Sequence, residues 1–215
     1  MHFAKINYLN PQGLDLMDNF TRVYNDVISK WKCQELINLF ESENDLHEVQ
    51  HNGLGATLTQ VNLMESPRKA WQKETEALKK SIRKCVEQYK IDCDIQPLQW
   101  PTSYEFEPPK MKRYLPGTTD EFPEHVDVRD LSTARRFLVT FLYLTDNENA
   151  STVVCPKDDE FVSKCRRGPM ILFPPMWPWR HVGKKPLNNP KYIIGSYLHY
   201  GPTFNSSKRP ITIVS

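Results

Sequence analysis

The chain has 215 residues, of which 39% are hydrophobic and 25% charged, and its formal net charge is +2 at pH 7. This length gives one domain with room for a real core, and the near-neutral charge argues against a nucleic-acid or acidic-membrane surface. No run approaches the ~18 apolar residues of a membrane helix, and residues 1–8 lack the apolar stretch of a signal peptide. A soluble cytoplasmic protein, monomeric or weakly dimeric, is expected. Five cysteines (Cys33, Cys85, Cys93, Cys155 and Cys165) are odd in number and include no Cys-x-x-Cys. They predict free thiols rather than a disulfide framework or a zinc ribbon.

Residues 1–18, with Asn10-Pro11 and Gly13, read as an irregular arm. Residues 20–24 alternate and predict a strand. Ser29 suits the N-cap of a helix to about Ser42, with Trp31, Leu36, Ile37, Leu39 and Phe40 on its apolar side. Residues 47–54 read as loop, and 57–63 as an edge strand. Ser66-Pro67 then opens the longest helix. Trp71, Thr75, Leu78, Ile82, Val86 and Tyr89 recur along it at spacings of three and four. That face is suited to pack on a sheet.

After Lys90 the character changes: proline, glycine and β-branched residues punctuate short apolar runs. Strands are predicted at 99–100, 103–107, 110–115, 124–128, 137–144, 151–155, 169–173, 179–182, 192–200 and 211–214. So many short strands point to an antiparallel barrel or jelly roll. The expected fold is therefore mainly β in a single domain, with strand and helical support over residues 1–95 packed on the major sheet of a core over 96–215.

The chemistry concentrates at His125-Val126-Asp127. In an extended strand residues i and i+2 project to one face, which would set an imidazole beside a carboxylate. His181 is the best candidate for a third ligand. Two histidines and one carboxylate on one face of a metal leave the opposite positions open, as non-haem Fe(II) oxygen chemistry needs. A lone His-x-Asp arises by chance in many chains. Residues downstream of it raise the specificity: an apolar run at 137–145, the glycine turn Gly168 leading to Phe173, His181, and Lys191 ten residues on.

These residues give the chain a resemblance, over roughly residues 20–200, to the Fe(II)- and 2-oxoglutarate-dependent dioxygenases of the prolyl 4-hydroxylase-like branch. The matching elements are Tyr114-Leu-Pro-Gly117, His125-Val-Asp127, Tyr143-Leu144, Gly168 to Phe173, His181 and Lys191. The resemblance implies a double-stranded β-helix (a cupin-like jelly roll) in which His125, Asp127 and His181 are the catalytic iron ligands. It implies that Lys191 binds the distal carboxylate of 2-oxoglutarate and that Tyr114 hydrogen-bonds the same group. It implies O2 as the oxidant and ascorbate as an accessory reductant. The implied reaction turns 2-oxoglutarate into succinate and CO2 while hydroxylating an unactivated C–H, with a prolyl residue of a peptide or protein foremost and a free amino acid or other small molecule as the alternative.

The sequence departs from the family pattern in three places. The loop between Gly117 and His125 is about two residues longer than usual and reads as a flap. Asn149-Ala-Ser-Thr152 keeps only the threonine of the usual Gly-Gly-Glu-Thr. The segment from Phe173 to His181 is rich in proline and tryptophan. Trp177, Trp179 and Tyr104 are candidates for an aromatic groove suited to a proline-rich peptide. Arg129 is a further substrate candidate, with a surface ion pair as its ordinary alternative. Two rival readings use the same ligands: a non-catalytic metal-binding jelly-roll module, and a zinc hydrolase.

Overall fold

The computed structural model describes residues 20–51, 55–66, 69–155 and 160–201. The arm expected at 1–18, Pro67 and the strand expected at 211–214 lie outside them. The described chain begins with β1 (Arg22–Tyr24) and α1 (Lys30–Ser42), whose N-cap Ser29 accepts a hydrogen bond from the Lys32 amide at 3.1 Å. β2 (Glu48–His51) and β3 (Thr57–Asn62) form a hairpin, and α2 runs over Lys69–Asp92. The remaining strands are β4 (Tyr104–Phe106), β5 (Lys110–Tyr114), β6 (Phe122–His125), β7 (Arg136–Tyr143), β8 (Asn147–Val154), β9 (Phe161–Cys165), β10 (Met170–Phe173), β11 (His181–Gly183) and β12 (Lys191–Tyr200).

The strands form two antiparallel sheets in a jelly-roll-like arrangement. The larger has the order β1-β10-β7-β12-β5-β3-β2, with β4 also paired to β12; the smaller has the order β6-β11-β8-β9. Period-2 alternation divides the large sheet's side chains between two cores. Leu138 and Leu142 of β7, Ile194 and Leu198 of β12, and Met111 of β5 share a buried cluster with Leu36, Ile37 and Phe40 of α1 and Trp71, Leu78, Ile82, Val86 and Tyr89 of α2. The alternate residues Val139, Phe141 and Tyr143, with Ile193 and Tyr114, cluster instead with Ala150, Val154 and Cys165 of the small sheet. The five cysteines are buried, and none forms a disulfide among the described residues.

Several local expectations are corrected. Residues 48–51 are a strand and not loop; all four of its residues are exposed, so no apolar alternation marks it, and β3 is consequently an inner strand rather than the edge. Residues 99–100 are not a strand: Pro97–Gln99 is a 3-10 turn held by Gln99 Oε1 accepting from the Gln96 amide at 2.7 Å. Trp31 is exposed, and the buried side of α1 is Cys33, Leu36, Ile37 and Phe40. β9 carried no strand signal because its inward residues are Ser163 and Cys165. The 3-10 turn Trp177–Trp179 precedes a strand that starts only at His181. The segment read as a flap is pinned. Buried Asp120 accepts from the Leu115 amide at 2.9 Å and from the Thr57 hydroxyl, and Phe122 onward is already β6.

Candidate active site

The site forms where the two sheets face each other. His125 closes β6 and His181 opens β11, and antiparallel pairing sets them directly opposite one another, with ring centroids 4.2 Å apart. Each ring is fixed in the same way. His125 Nδ1 donates to the Pro123 carbonyl at 2.7 Å, and His181 Nδ1 donates to the Trp179 carbonyl at 3.1 Å. A carbonyl only accepts, so both Nδ1 atoms carry a proton, and each ring in its neutral form presents an Nε2 lone pair.

Asp127 is not on the strand. β6 ends at His125, and Asp127 lies at a bend beyond it, so i,i+2 alternation is not what aims it. Its amide donates to the Pro175 carbonyl at 3.0 Å, and its own carbonyl accepts from Arg136 Nη1 at 3.1 Å. Arg136 is in turn gripped by both carboxylate oxygens of Glu107, each at 2.7 Å. The Asp127 carboxylate thereby reaches His125 Nε2 at 3.4 Å and His181 Nε2 at 3.3 Å, while Tyr197 Oη donates to its Oδ1 at 2.8 Å.

One ligand atom from each of His125, Asp127 and His181 lies within 4.8 Å of the others. Burial alone would raise the Asp127 carboxyl; His125, the charge near His181 and the Tyr197 hydroxyl overcome it and hold it at about 2. Burial pushes His181 down to about 4, although Asp127 pulls the other way. At neutral pH the set is therefore an anionic carboxylate with an unprotonated His181. Asp127 Oδ2 and His181 Nε2 are buried without a hydrogen-bond partner. Such orphans are rare and costly in folded proteins, and a cation placed among these atoms satisfies them together. The donor set fits a divalent transition metal.

The triad lines a cavity of about 360 Å³ that also includes Lys191, Tyr114, Lys112, Phe122, Phe141, Thr152, Gly183, Ile193 and Tyr197. Lys191 is 2% exposed, and its Nζ has no ion pair or hydrogen bond among the described residues. The Tyr114 ring lies 5.6 Å from it, and Cys165 is also near. Burial lowers it to about 8. A Cβ on Gly183 would stand 3.6 Å from that ammonium and 3.4 Å from Phe122 Cβ, so the glycine keeps the space beside it open.

No family model matches the chain, and no curated protein matches it in sequence. Solved structures do match. A viral collagen prolyl hydroxylase from Paramecium bursaria Chlorella virus-1, in complex with 2-oxoglutarate, superposes with a TM-score of 0.61 at 17% identity, over 87% of this chain and 99% of that one. A Trichoplax adhaerens prolyl hydroxylase in complex with a hypoxia inducible factor oxygen degradation domain peptide gives 0.63 at 16% identity, over 85% and 84%. A 2-oxoglutarate-Fe(II) oxygenase family oxidoreductase from Burkholderia pseudomallei gives 0.62 at 14%, over 86% and 88%. The chain shares the prolyl hydroxylase fold.

Within that oxygenase fold, the cavity gathers five of the nine residues singled out in the sequence: His125, Asp127, His181, Lys191 and Tyr114. The other four lie elsewhere. Tyr104 packs edge-on against Trp100, Phe106 and Phe137 in the cluster shared with the helices. Arg129 is exposed on the loop after Asp127. Trp179 packs beside the inner core with its ring 6.3 Å from Phe20, and Trp177 is 78% exposed on the turn before His181. Sequence reading passed over Tyr197, Lys112, Arg136 and Glu107. Strand parity marks two of them: Tyr197 shares a face with Lys191 and Ile193, and Lys112 with Tyr114.

Proposed function

We propose that the protein is an Fe(II)- and 2-oxoglutarate-dependent dioxygenase, a single catalytic domain that hydroxylates an unactivated C–H, with a prolyl residue of a peptide or protein as the first substrate to test. The observation that carries this reading is one cavity containing both a His-Asp-His cluster with two orphaned buried ligand atoms and, apart from it, a buried unpaired ammonium. A metal held only for structure would leave Lys191 without a purpose.

His125, Asp127 and His181 would hold the iron, and Lys191 would receive the distal carboxylate of 2-oxoglutarate, with Tyr114 beside it. Iron, 2-oxoglutarate and O2 together supply the oxidation of the C–H, with succinate and CO2 as co-products. The chain's own part is positional. The Pro123 and Trp179 carbonyls lock both imidazoles with Nε2 outward. Arg136 and Tyr197 fix the backbone and the side chain of Asp127. Phe122, Phe141 and Ile193 make the lining apolar and exclude water. Such preorganised support is what a metal site needs around its ligands. Trp177, exposed on the turn that precedes His181, offers an aromatic surface of the kind that receives proline-rich segments.

The test is succinate release from 2-oxoglutarate in the presence of Fe(II), O2 and ascorbate. Release by the wild type and none by His125→Ala is the expected result. No release by the wild type, or equal release by both, overturns the proposal.

A further inference from the structure

The cavity that holds the triad has a neighbour with which it shares lining residues. Lys112, Phe122 and Tyr197 line both, and the second, of about 460 Å³, is walled further by Lys110, Gln60, Glu107 and Arg136. Its charge is unbalanced. Arg136 and Glu107 neutralise each other through a two-pronged contact. The ammonium groups of Lys110 and Lys112 have no ion pair or hydrogen bond to any described residue, and the Nζ of Lys112 stands 5.2 Å over the Phe122 ring. Both lysines come from β5, two residues apart, and so project to one face. Among the residues lining this second cavity, three cations stand against one carboxylate; the other carboxylate that acts on Lys112, Asp127, belongs to the triad.

An aromatic face compensates an ammonium only weakly, and cations withdrawn from water are normally paired. Exposed lysines need no such partner, but Lys112 is half-buried between two cavities. The cations also lie in two separate groups. Lys191 sits with Tyr114 and Gly183; Lys112 and Lys110 sit beyond Phe122, on the side where Tyr197 meets Asp127. Two groups imply two anions, and the proposed co-substrate requires only the first.

We infer that the second cavity binds a carboxylate of the substrate itself, held by Lys110 and Lys112 close to the C–H that is attacked. This rests on the dioxygenase reading above and specifies the substrate class: an acid-bearing molecule rather than a neutral one. An aspartate beside the target residue of a peptide and the α-carboxylate of a free amino acid present the same group, so the chemistry is shared between the two sources.

Binding decides between them without turnover. Two matched pairs are titrated by calorimetry, with and without Mn(II) and saturating 2-oxoglutarate, the latter to occupy Lys191. One pair is a proline peptide with Asp next to the proline and its Asn counterpart; the other is L-proline and L-prolinamide. The expected result is that the acid of one pair binds about tenfold more tightly than its amide, the size of a charge-assisted hydrogen bond. The preference should shrink with added salt. It should vanish in Lys112→Met and survive in Lys112→Arg. Because each ratio is taken within one variant, a general loss of folding cannot imitate this pattern. The pair that discriminates identifies the source. Equal affinities within both pairs, or a preference that persists in the Lys110→Met/Lys112→Met double variant, overturn the inference. Absence of succinate release from the same wild-type preparation would overturn the dioxygenase reading instead, and would leave the carboxylate preference to be judged on its own data.

Discussion

On the face toward α1 and α2, the large sheet meets apolar side chains, and the polar groups among them are mostly paired, Arg113 Nε being the exception. The Trp71 indole donates to Glu43 at 2.6 Å, the Tyr192 hydroxyl donates to Glu41 at 2.6 Å, and Arg113 pairs with the same Glu41 at 2.8 Å. On the opposite face, Asp127 Oδ2 and His181 Nε2 are buried with no hydrogen-bond partner, and Lys191 is buried without an anion among the described residues. Burying polar atoms unpaired costs stability, so the inner face carries a cost that the protein alone does not offset. Under the proposed function, the metal and 2-oxoglutarate would supply those partners to Asp127, His181 and Lys191. The contrast therefore separates residues that hold the fold from residues that wait for a ligand, and substitutions on the two faces should fail in different assays.

The largest functional loss should come from Asp127→Ala. It removes the one anion of the triad and should abolish both Mn(II) binding, followed by calorimetry, and succinate release, while far-UV circular dichroism stays that of the wild type. The mirror-image loss is Trp71→Ala on the outer face. Trp71 is fully buried, and its truncation should cost about 3–5 kcal/mol of stability in urea unfolding. Mn(II) affinity, measured well below the melting transition, should be unchanged. An Asp127→Ala protein that still binds metal, or a Trp71→Ala protein that is stable but inactive, would break the division.

Lys191→Met tests the comparison from within one residue. Removing one partner of a buried charge pair typically costs 2–5 kcal/mol of binding, so 2-oxoglutarate affinity should fall about 100-fold, yet the ligand-free protein should not lose stability. The pH dependence has a definite sign. Burial lowers Lys191 in the folded chain to about 8, against 10.5 ordinarily. Between those values the unfolded chain binds more protons, so stability of the ligand-free protein rises with pH over that window and is lower beneath it. Lys191→Met should flatten part of that rise. Lys112, also lowered to about 8 by burial, contributes the rest. Urea midpoints from pH 7 to pH 10.5 measure both slopes.

Much of this was legible in the residues. Heptad-like spacing along residues 69–92 marked α2 and all but one of its buried positions, and Ser29 marked the start of α1, because local rules decide both. The grouping of His125, Asp127, His181 and Lys191 was legible as a motif. The reason it holds was not. Asp127 is aimed by a bend, the Pro175 carbonyl and Arg136 rather than by strand alternation, and those contacts join residues far apart in the chain. Tyr104 illustrates the converse error. It is an aromatic residue of the right type, but β4 pairs with the far end of β12 and turns its ring into the helix-side cluster. β2 and β9 left no trace because one is wholly exposed and the other points serine and cysteine inward.

The smallest effect is the sharpest discriminator, because it uses matched substitutions on the two faces of one strand. Tyr197 and Tyr192 both lie on β12, and each donates a hydrogen bond to a carboxylate, Tyr197 to Asp127 at 2.8 Å and Tyr192 to Glu41 at 2.6 Å. Tyr→Phe removes only the hydroxyl in each case; at Tyr197 the ring stays under the Arg136 guanidinium, 4.0 Å away. Loss of a group that orients a metal ligand typically weakens metal binding 10–100-fold, so Tyr197→Phe should lower Mn(II) affinity about tenfold, with little change in the urea midpoint. Tyr192→Phe should do the reverse, costing about 1 kcal/mol of stability and leaving Mn(II) affinity as it was. If the two variants gave the same pair of numbers, the two faces of the sheet would not differ in kind, and Tyr197 would be one more structural tyrosine.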